Sequence, residues 1–323
     1  MCSLIIDAIR KKESNPLITF AVISYNQEDF IRDAVLGAFS QAYSPLEIVF
    51  SDDCSQDATY HIIETLAGEY EGPHTVVLNR NNENLGLSGN VNKVMALAKG
   101  EVIILAGGDD VSLPDRAKKS LDLLFRYPKS YCVSFSAIAF RNEQLPNVEE
   151  SDELCLCSEY SLASLVNNSD FHINGATRAY RRSIYDTFGP LKRHTPTEDS
   201  TLLLRCLMMG RVLKCKEPQV LYRIHGGNYY ASEKKYNINY DEIHRQYLVD
   251  VEKALELNLI NAGQKKELVR SLCKKLGKRR LRADLFLADR KWVFFLSRIV
   301  TSGNFRLIEK LRMLREIVSG NAR

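Results

Sequence analysis

Long apolar runs are missing from this sequence of 323 residues. No window approaches the roughly 18 consecutive apolar residues that a membrane-spanning helix needs. The first residues, MCSLIIDAIRKKE, contain an apolar stretch that is too short, and that meets charged residues too early, for a signal peptide. We therefore expect a soluble cytoplasmic protein, or one that rests on the surface of a membrane.

Paired cysteines at zinc-binding spacing are also missing. The eight cysteines lie at positions 2, 54, 132, 155, 157, 206, 215 and 273, and only Cys155 and Cys157 are close in sequence. One Cys-x-Cys without a second pair is a poor zinc signal. We expect all eight cysteines to be reduced thiols, as is usual in the cytoplasm.

Three common ligand-binding patterns are absent. The first predicted strand is not followed by Gly-x-Gly-x-x-Gly, which argues against a dinucleotide-binding fold. No Gly-x-x-x-x-Gly-Lys occurs, which argues against a P-loop kinase. Neither a helix-turn-helix nor a basic segment interleaved with aromatic residues is evident, so we expect no nucleic-acid partner.

The first hundred residues do contain a regular alternation of apolar runs and helical segments. Strands are predicted at 17–23, 46–53, 74–80 and 101–108, and helices at 27–43, 58–70 and 88–100. This alternation, with short polar joints, predicts an α/β fold with a mostly parallel sheet covered by helices on both faces. In such sheets, ligands bind beyond the carboxyl ends of the strands.

Polar side chains collect at those strand ends. Asp109 and Asp110 follow the fourth strand directly after two glycines. A strand-to-helix turn capped by an aspartate would explain this pair, and so would a site for a divalent metal and a phosphate. The full set of polar residues at the strand ends is Ser24, Tyr25, Asn26, Asp52, Asp53, Asn84, Ser88, Asp109 and Asp110.

A second acidic pair, Glu198 and Asp199, falls in the first turn of a helix predicted to run to about Met209. Acids at a helix N-terminus are favoured by the helix dipole alone, so the pair is either stabilising or functional. His225 follows a short predicted strand at 220–224. A lone histidine in a turn is either structural or a ligand.

The charge of the chain is uneven. Residues 1–230 carry a formal charge of about −6 and residues 231–323 about +10. We predict two regions with these bounds, the second built from helices at 241–258, 262–289 and 305–318. In that second region, residues 274–300 combine basic and apolar side chains, including Trp292. They either pack as an ordinary helical subdomain or form an interfacial membrane anchor.

Five motifs occur in one order: ITFAVISYNQEDFIRDAV, LEIVFSDDCSQDAT, NLGLSGNVNKVMALAKGE, ILAGGDDVSLPD and TEDSTLLLRCLMMG. In this order and spacing they resemble the family 2 glycosyltransferases of the GT-A fold, especially bacterial enzymes that build surface polysaccharides. The resemblance covers about residues 16–228. It implies a Rossmann-like sheet with flanking helices, followed by a C-terminal helical appendage.

The resemblance implies roles for the residues at the strand ends. Asp52 or Asp53 matches the family's aspartate that reads the nucleobase, and a carboxylate accepts the imide N–H of uracil or of thymine. The stretch Ser24, Tyr25 and Asn26 would frame the base. The stretch that lines the ribose and diphosphate is matched by Asn84, Ser88 and Asn90.

The family's Asp-x-Asp motif aligns with Gly107, Gly108 and Asp109, so that a glycine replaces its first aspartate. The resemblance makes Asp109 the metal ligand, with Gly108 and Asp110 beside it at the donor diphosphate. His225 would be a further ligand and would favour Mn²⁺ slightly over Mg²⁺. A hard cation needs few protein ligands here because phosphate oxygens and water complete its shell.

The motif Thr197-Glu198-Asp199 matches the family's acidic pair, whose aspartate is the general base. Sugar transfer with inversion needs one carboxylate to take the proton of the acceptor hydroxyl, while a metal stabilises the leaving diphosphate. The resemblance thus implies an inverting, hexosyltransferase-type enzyme that uses a nucleotide-diphosphate sugar, with a UDP-sugar preferred. Its acceptor would be a saccharide or a lipid-linked saccharide in O-antigen- or capsule-type biosynthesis, with peripheral contact at the inner face of the membrane.

Two other functions remain open from the sequence. The loss of an aspartate at Gly107 fits a catalytically inactive sugar-nucleotide binder or scaffold. A nucleotidyltransferase also uses a Rossmann-like sheet and acidic metal sites. It would want a glycine-rich phosphate loop with Lys or Arg after the first strand, and SYNQEDF offers none.

Overall fold

A computed structural model describes residues 15–141, 144–148, 156–167, 173–193, 195–226 and 238–287. In chain order the elements are β1 (Ile18–Ser24), α1 (Ile31–Phe39), β2 (Leu46–Asp52), α2 (Thr59–Gly68), β3 (Thr75–Arg80), α3 (Gly86–Leu97), β4 (Val102–Gly107), β5 (Val111–Ser112), α4 (Arg116–Arg126), β6 (Ser130–Phe140), β7 (Cys157–Tyr160), α5 (Leu162–Asn167), β8 (Arg178–Arg181), α6 (Ser183–Phe188), α7 (Glu198–Met209), β9 (Arg211–Arg223), α8 (Tyr240–Glu256) and α9 (Ala262–Leu287).

The first four strands form the parallel half of one sheet, in the order β3-β2-β1-β4. Their residues are buried on both faces in β1, β2 and β4, which is why these strands read as nearly continuous apolar runs. The predicted ends of all four strands lie within one residue of the observed ends. The parallel sheet predicted for this part of the chain is therefore confirmed.

The other half of the sheet mixes directions and was only partly predicted. It continues from β4 as β8-β6-β9-β5, with β7 paired to β9, and only β6 and β9 are parallel to each other. The apolar run YCVSFSAIAF, at 131–140, also predicts a strand, and this strand is β6. The predicted strand at 220–224 is only the end of β9, which begins at Arg211. Exposed polar residues and Pro218, which lies at a register shift, interrupt the apolar run there.

The expectation that all eight cysteines are reduced is wrong for two of them. Cys157 and Cys215 form a disulfide between β7 and β9, where the two residues stand opposite each other in the antiparallel register. They are 58 residues apart in sequence. Cysteine spacing alone does not reveal such a pair because strand pairing brings it together.

The described residues divide into two compact units. The first comprises those up to Leu165 and those from 173 to Ile224, and the second comprises 166–167 and those from His225 onward. In the second unit, α8 packs against α9, and each helix buries apolar side chains, such as Val251 in α8 and Leu268 in α9. The predicted regions meet at residue 230 instead. The predicted helix at 305–318 and the apolar part of 274–300 lie outside the described residues.

No helix in the described part of the chain is long and apolar enough to cross a membrane.

Candidate active site

The carboxyl ends of β1, β2 and β4 lie side by side at one edge of the sheet. Ser24 pairs with Asp52 across β1 and β2, and Ile23 pairs with Gly107 across β1 and β4. The N–H of Gly108 donates to the carbonyl of Ile23 at 2.9 Å. The fold therefore brings together the residues that were predicted after these three strands.

The two glycines before the acidic pair each have a steric reason. A Cβ on Gly107 would lie 2.7 Å from Oδ1 of Asp109, so the carboxylate of Asp109 occupies the space over this glycine. A Cβ on Gly108 would lie 3.0 Å from Cβ of Ser24. The glycines thus let the turn after β4 approach the end of β1 and fold the Asp109 side chain back onto the strand.

The two aspartates after β2 differ in how much of their hydrogen-bonding capacity the protein uses. Asp52 is fully buried; its Oδ2 accepts from the Ser55 N–H at 2.9 Å and its Oδ1 accepts from Ser24 Oγ at 3.3 Å. Asp53 Oδ1 accepts from Asn81 Nδ2 at 2.8 Å. In the described part of the chain, no protein donor bonds Oδ2 of Asp53. Asp53 is therefore the better placed of the two to accept a hydrogen bond from a ligand.

Two residues after β1 differ in the same way: Asn26 is engaged in hydrogen bonds within the protein, whereas the side chain of Tyr25 is exposed. Asn26 has a positive φ of 50°, donates its N–H to Ser55 Oγ at 2.9 Å and accepts from the Gln56 N–H at 2.9 Å. Tyr25 keeps 45% of its surface exposed. Asn26 thus fixes the loop after β2 against the loop after β1, and Tyr25 is the member of this stretch that presents an open ring.

A cleft of about 360 Å³ lies at the start of α3. Asn84 Oδ1 accepts from the Gly86 N–H at 2.9 Å, and Ser88 Oγ donates to the carbonyl of Thr195 at 2.5 Å. Asn90 is buried and does not line this cleft, and its Nδ2 donates to the carbonyl of Ser51 at 2.9 Å. The lining residues of the cleft are Asn84, Leu85, Gly86, Leu87, Ser88, Arg193, Thr195 and Pro196.

Asp109 and Asp110 place two carboxyl groups next to each other in different surroundings. Asp109 is half-buried, and Asp110 is buried with its Oδ1 accepting from the Arg223 N–H at 3.0 Å. Burial, and then the negative charge of Asp109, raise the pKa of Asp110 to about 8. A cation at this place would relieve the repulsion between the two groups.

The donor atoms fit a hard divalent cation only in part. Two adjacent carboxylates supply the oxygen ligands that Mg²⁺ and Mn²⁺ take. Within the described ranges, no group of three or more His, Cys, Asp or Glu is arranged to hold a metal. Phosphate and water oxygens would have to complete the shell. His225 belongs to the second unit, so its role as a further ligand stays a prediction.

Glu198 and Asp199 form the first turn of α7, as predicted. Asp199 Oδ1 accepts from the Ser200 N–H at 2.6 Å, and its Oδ2 lies 3.8 Å from Nη2 of the buried Arg178. Burial, and then the charge of Asp199, raise the pKa of Glu198 to about 8. The pair therefore combines one carboxyl group held beside a fixed positive charge with a neighbour that favours its protonated form.

A buried arginine connects the surroundings of the two acidic pairs. Arg116 donates to the carbonyl of Ala176 at 2.9 Å and to that of Arg178 at 3.4 Å, and its charge also acts on Asp110. Arg178 in turn faces Asp199. Each acidic pair is thus influenced by a buried arginine, and the two arginines are linked because Arg116 bonds the backbone carbonyl of Arg178.

Sequence reasoning missed Arg116, Arg178 and Arg223, which are three of the four arginines buried in the described part of the chain; the fourth is Arg205. Arg116 is the first residue of α4, Arg178 the first of β8 and Arg223 the last of β9. A charged residue that is buried needs a partner, but only Arg223, within VLYRI, interrupts an apolar run, so the sequence holds no such signal for Arg116 and Arg178.

Comparison with known proteins identifies the class to which this fold and site belong. Residues 19–189 match the family described as Glycosyl transferase family 2. The match spans more than half of the chain, so the chain belongs to this family and the predicted family resemblance is confirmed. The fifth motif, TEDSTLLLRCLMMG at 197–210, lies beyond the matched residues.

Individual relatives support the same assignment. The chain is 29% identical over 205 residues to the uncharacterized protein Rv1520 of Mycobacterium tuberculosis, covering 63% of this chain and 57% of that protein. It is 32% identical over 94 residues to an Escherichia coli protein named UDP-Glc:alpha-D-GlcNAc-diphosphoundecaprenol beta-1,3-glucosyltransferase WfaP, covering 29% of this chain and 36% of that one. The chain thus spans little more than half the length of such relatives at most.

The fold is also found in solved structures. S. aureus TarS 1-349 in complex with UDP-GlcNAc superimposes with a TM-score of 0.63 at 15% identity, covering 86% of this chain and 79% of that chain. This likeness confirms the expected GT-A type of fold.

Proposed function

We propose that the protein is an inverting, cation-dependent glycosyltransferase of hexosyltransferase type that uses a UDP-sugar. The observation that carries this proposal is that two acidic pairs are each placed beside a buried arginine, Arg116 or Arg178, and that these two arginines are linked by a hydrogen bond. Asp109 and Asp110 are crowded in a way that suits a cation, and Asp199 is oriented in a way that suits a general base. A single displacement at the anomeric carbon needs one of each.

The donor would bind along the carboxyl edge of the parallel half-sheet. Asp53 Oδ2 accepts the imide N–H of uracil, which thymine would also offer, and Tyr25 covers the base. The ribose and diphosphate follow the start of α3, where Asn84 and Ser88 line the cleft. The TarS complex with UDP-GlcNAc supports a uridine donor for this fold.

The cation, Mn²⁺ or Mg²⁺, would be held by Asp109 with Asp110 beside it, and His225 stays a proposed further ligand. When bound, it neutralises the charge of the leaving diphosphate. The carboxylate of Asp199 takes the proton of the attacking acceptor hydroxyl. Glu198, which favours its protonated form, adds no second negative charge beside it.

The acceptor proposed is a saccharide or a lipid-linked saccharide in surface polysaccharide biosynthesis. The name of the Escherichia coli relative states a diphosphoundecaprenol-linked acceptor. We place the enzyme in the cytoplasm, with peripheral contact at the inner face of the membrane.

The membrane contact is supported by a basic stripe on α9. Lys266, Arg270 and Lys274 are exposed and four residues apart, so they lie along one side of the helix. Each basic side chain near an anionic leaflet contributes about 1 kcal/mol. Sedimentation with anionic and neutral liposomes tests this contact, and replacing the three residues with Glu should abolish binding to anionic vesicles. A control with the same change in charge replaces the exposed Lys129, Lys214 and Lys216.

Calorimetry of UDP with and without Mn²⁺, followed by an assay of transfer or hydrolysis of UDP-sugars, tests the enzyme function. Binding that requires the cation, together with turnover of a donor, is the expected result. Binding without any turnover would favour the inactive binder or scaffold. Release of pyrophosphate from a nucleoside triphosphate and a sugar phosphate would favour the nucleotidyltransferase.

A further inference from the structure

Arg223, the last residue of β9, is buried although it carries a full charge. Its guanidinium group lies over two aromatic rings, with Cζ 5.2 Å from the ring centre of Phe30 and 4.6 Å from that of Phe140. Its Nη2 also forms an ion pair with Asp33 Oδ2 at 2.6 Å. Two cation–π contacts and one charged hydrogen bond therefore fix this side chain in a single orientation.

The same residue holds both members of the acidic turn. Its Nε donates to the backbone carbonyl of Asp109 at 3.2 Å, and its backbone N–H donates to Oδ1 of Asp110 at 3.0 Å. The turn itself follows Gly107 and Gly108, which give the backbone more conformational freedom than other residues. Adjacent carboxylates in such a turn would separate by repulsion unless other groups fixed them.

We propose that Arg223 is a positioning residue that sets the Asp109–Asp110 turn in the geometry that binds the cation and the donor diphosphate, with Asp33 orienting Arg223. This inference rests on the proposed function of the site. Arg223 touches neither cation nor donor in this account. It acts by holding the carbonyl of Asp109 and the carboxylate of Asp110 at a fixed separation.

Arginine is suited to this role because its planar fork reaches two acceptors on different elements at once. Nε points to the turn after β4, and Nη2 points to Asp33 on α1. A lysine has one nitrogen on a flexible stem and cannot reproduce the two directed bonds. Arg223→Lys therefore keeps the positive charge but loses the two directed hydrogen bonds. Asp33→Asn keeps Arg223 but replaces its ion pair with a weaker hydrogen bond.

A purely structural arginine offers a matched control. Arg181 donates from Nε to the carbonyl of Ser130 at 2.8 Å. It pairs with Val102 at the start of β4, the end opposite to the acidic turn. Arg181→Lys therefore removes comparable arginine-to-carbonyl bonds far from the site.

The experiment measures the affinity for UDP by calorimetry, with and without Mn²⁺, together with the thermal unfolding midpoint of each full-length variant. We expect Arg223→Lys to lower the Mn²⁺-dependent gain in UDP affinity by about 10- to 100-fold, a loss typical for changes to partners of metal ligands. Asp33→Asn should give a smaller loss in the same direction. Arg181→Lys should leave the Mn²⁺-dependent gain unchanged even where its midpoint falls.

An Mn²⁺-dependent gain that is the same in the wild type, Arg223→Lys and Asp33→Asn would overturn the inference and leave the proposed function standing. Equal losses in Arg223→Lys and Arg181→Lys would also overturn it, since the effect would then be a general one of stability. If Arg223→Lys does not fold, Asp33→Asn against Arg181→Lys decides the matter. Wild-type protein that binds no UDP with Mn²⁺ would overturn the proposed function and the inference together.

Discussion

Replacing Gly107 with aspartate, the residue that the family motif predicts there, should destabilise the folded protein in the absence of a cation. A Cβ at this position would lie 2.7 Å from Asp109 Oδ1 and 3.8 Å from Asp110 Oδ2. The nearer atom ends a flexible side chain, so Asp109 can move aside. Gly107→Ala and Gly107→Asn should therefore cost about 1 kcal/mol of unfolding free energy, at the low end for overpacking. Each would also displace the carboxylate that we assign to the cation.

Gly107→Asp adds a further carboxyl group, and its negative charge, to the same crowding. Two unit charges about 4 Å apart repel by about 4 kcal/mol at an effective dielectric constant of about 20. Gly107 is partly exposed, so solvent screening should reduce the difference between Gly107→Asp and Gly107→Asn to about 1–2 kcal/mol. Repulsion raises the folded-state pKa of the added carboxyl group, so this cost is present at neutral pH and fades as the pH falls and the group takes up a proton.

Denaturant unfolding of the two variants at pH 7.5 and at pH 5, each with and without Mn²⁺, measures this charge term. We expect Gly107→Asp to be the less stable variant at pH 7.5 without the cation, and the difference to shrink at pH 5 and with Mn²⁺. Gly107→Asn is the matched control because it has nearly the same shape without the charge. Equal stability of the two variants under all four conditions would refute the idea that the acidic turn is electrostatically crowded.

Three further predictions concern the second acidic pair and the disulfide. Asp199→Asn should leave UDP binding intact and lower turnover by about 10²-fold or more; a near-normal rate in the transfer assay would leave Asp199 as an acid that only stabilises its helix. The pKa of Glu198 is raised to about 8, so between pH 5 and pH 8 the folded state keeps the carboxyl proton that the unfolded state loses. The free energy of unfolding should therefore fall by up to about 1.4 kcal/mol per pH unit over this range. Glu198→Gln should reduce this pH dependence in thermal unfolding, and an unchanged pH dependence would mean that other groups cause it. Replacing Cys215, whose bond to Cys157 closes a loop of 58 residues, with Ser should cost about 4 kcal/mol in the chain-entropy estimate, and alkylation of the wild type before reduction should leave both thiols unlabelled.

The parallel half of the sheet was predictable because its strands are buried on both faces. Burial on both faces produces apolar runs with sharp polar ends, and β1, β2 and β4 have them. β9 is different because one of its faces is solvated near Lys214 and Lys216, so its pattern resembles a loop. The two-residue strand β5 is recognisable only through its pairing with β9.

The sequence predicts which residues lie near the candidate site, but not which of their side chains bond the protein and which stay open to a ligand. The sequence places Asp52 and Asp53 together, and only the contacts separate the fully buried aspartate from the one with an unbonded oxygen. Asn90 was predicted to line the donor site, yet its amide bonds the backbone of β2. Neighbouring residues in a loop or helix point in different directions. A motif therefore predicts where a site lies better than it predicts the contacts of each side chain.

The buried arginines explain how an acidic edge can exist before any ligand arrives. Burying an isolated charge is costly, and a carboxylate in a crowded site tends to take up a proton instead, as Asp110 and Glu198 do with pKa values raised to about 8. Arg116 and Arg223 oppose this tendency at Asp110, because their charges lower its pKa while burial and Asp109 raise it. The arginines do not cancel the repulsion completely. A cation that binds with its diphosphate would relieve the repulsion that remains. Ligand binding and the protonation of these acids are therefore thermodynamically linked, because both involve the same carboxyl groups.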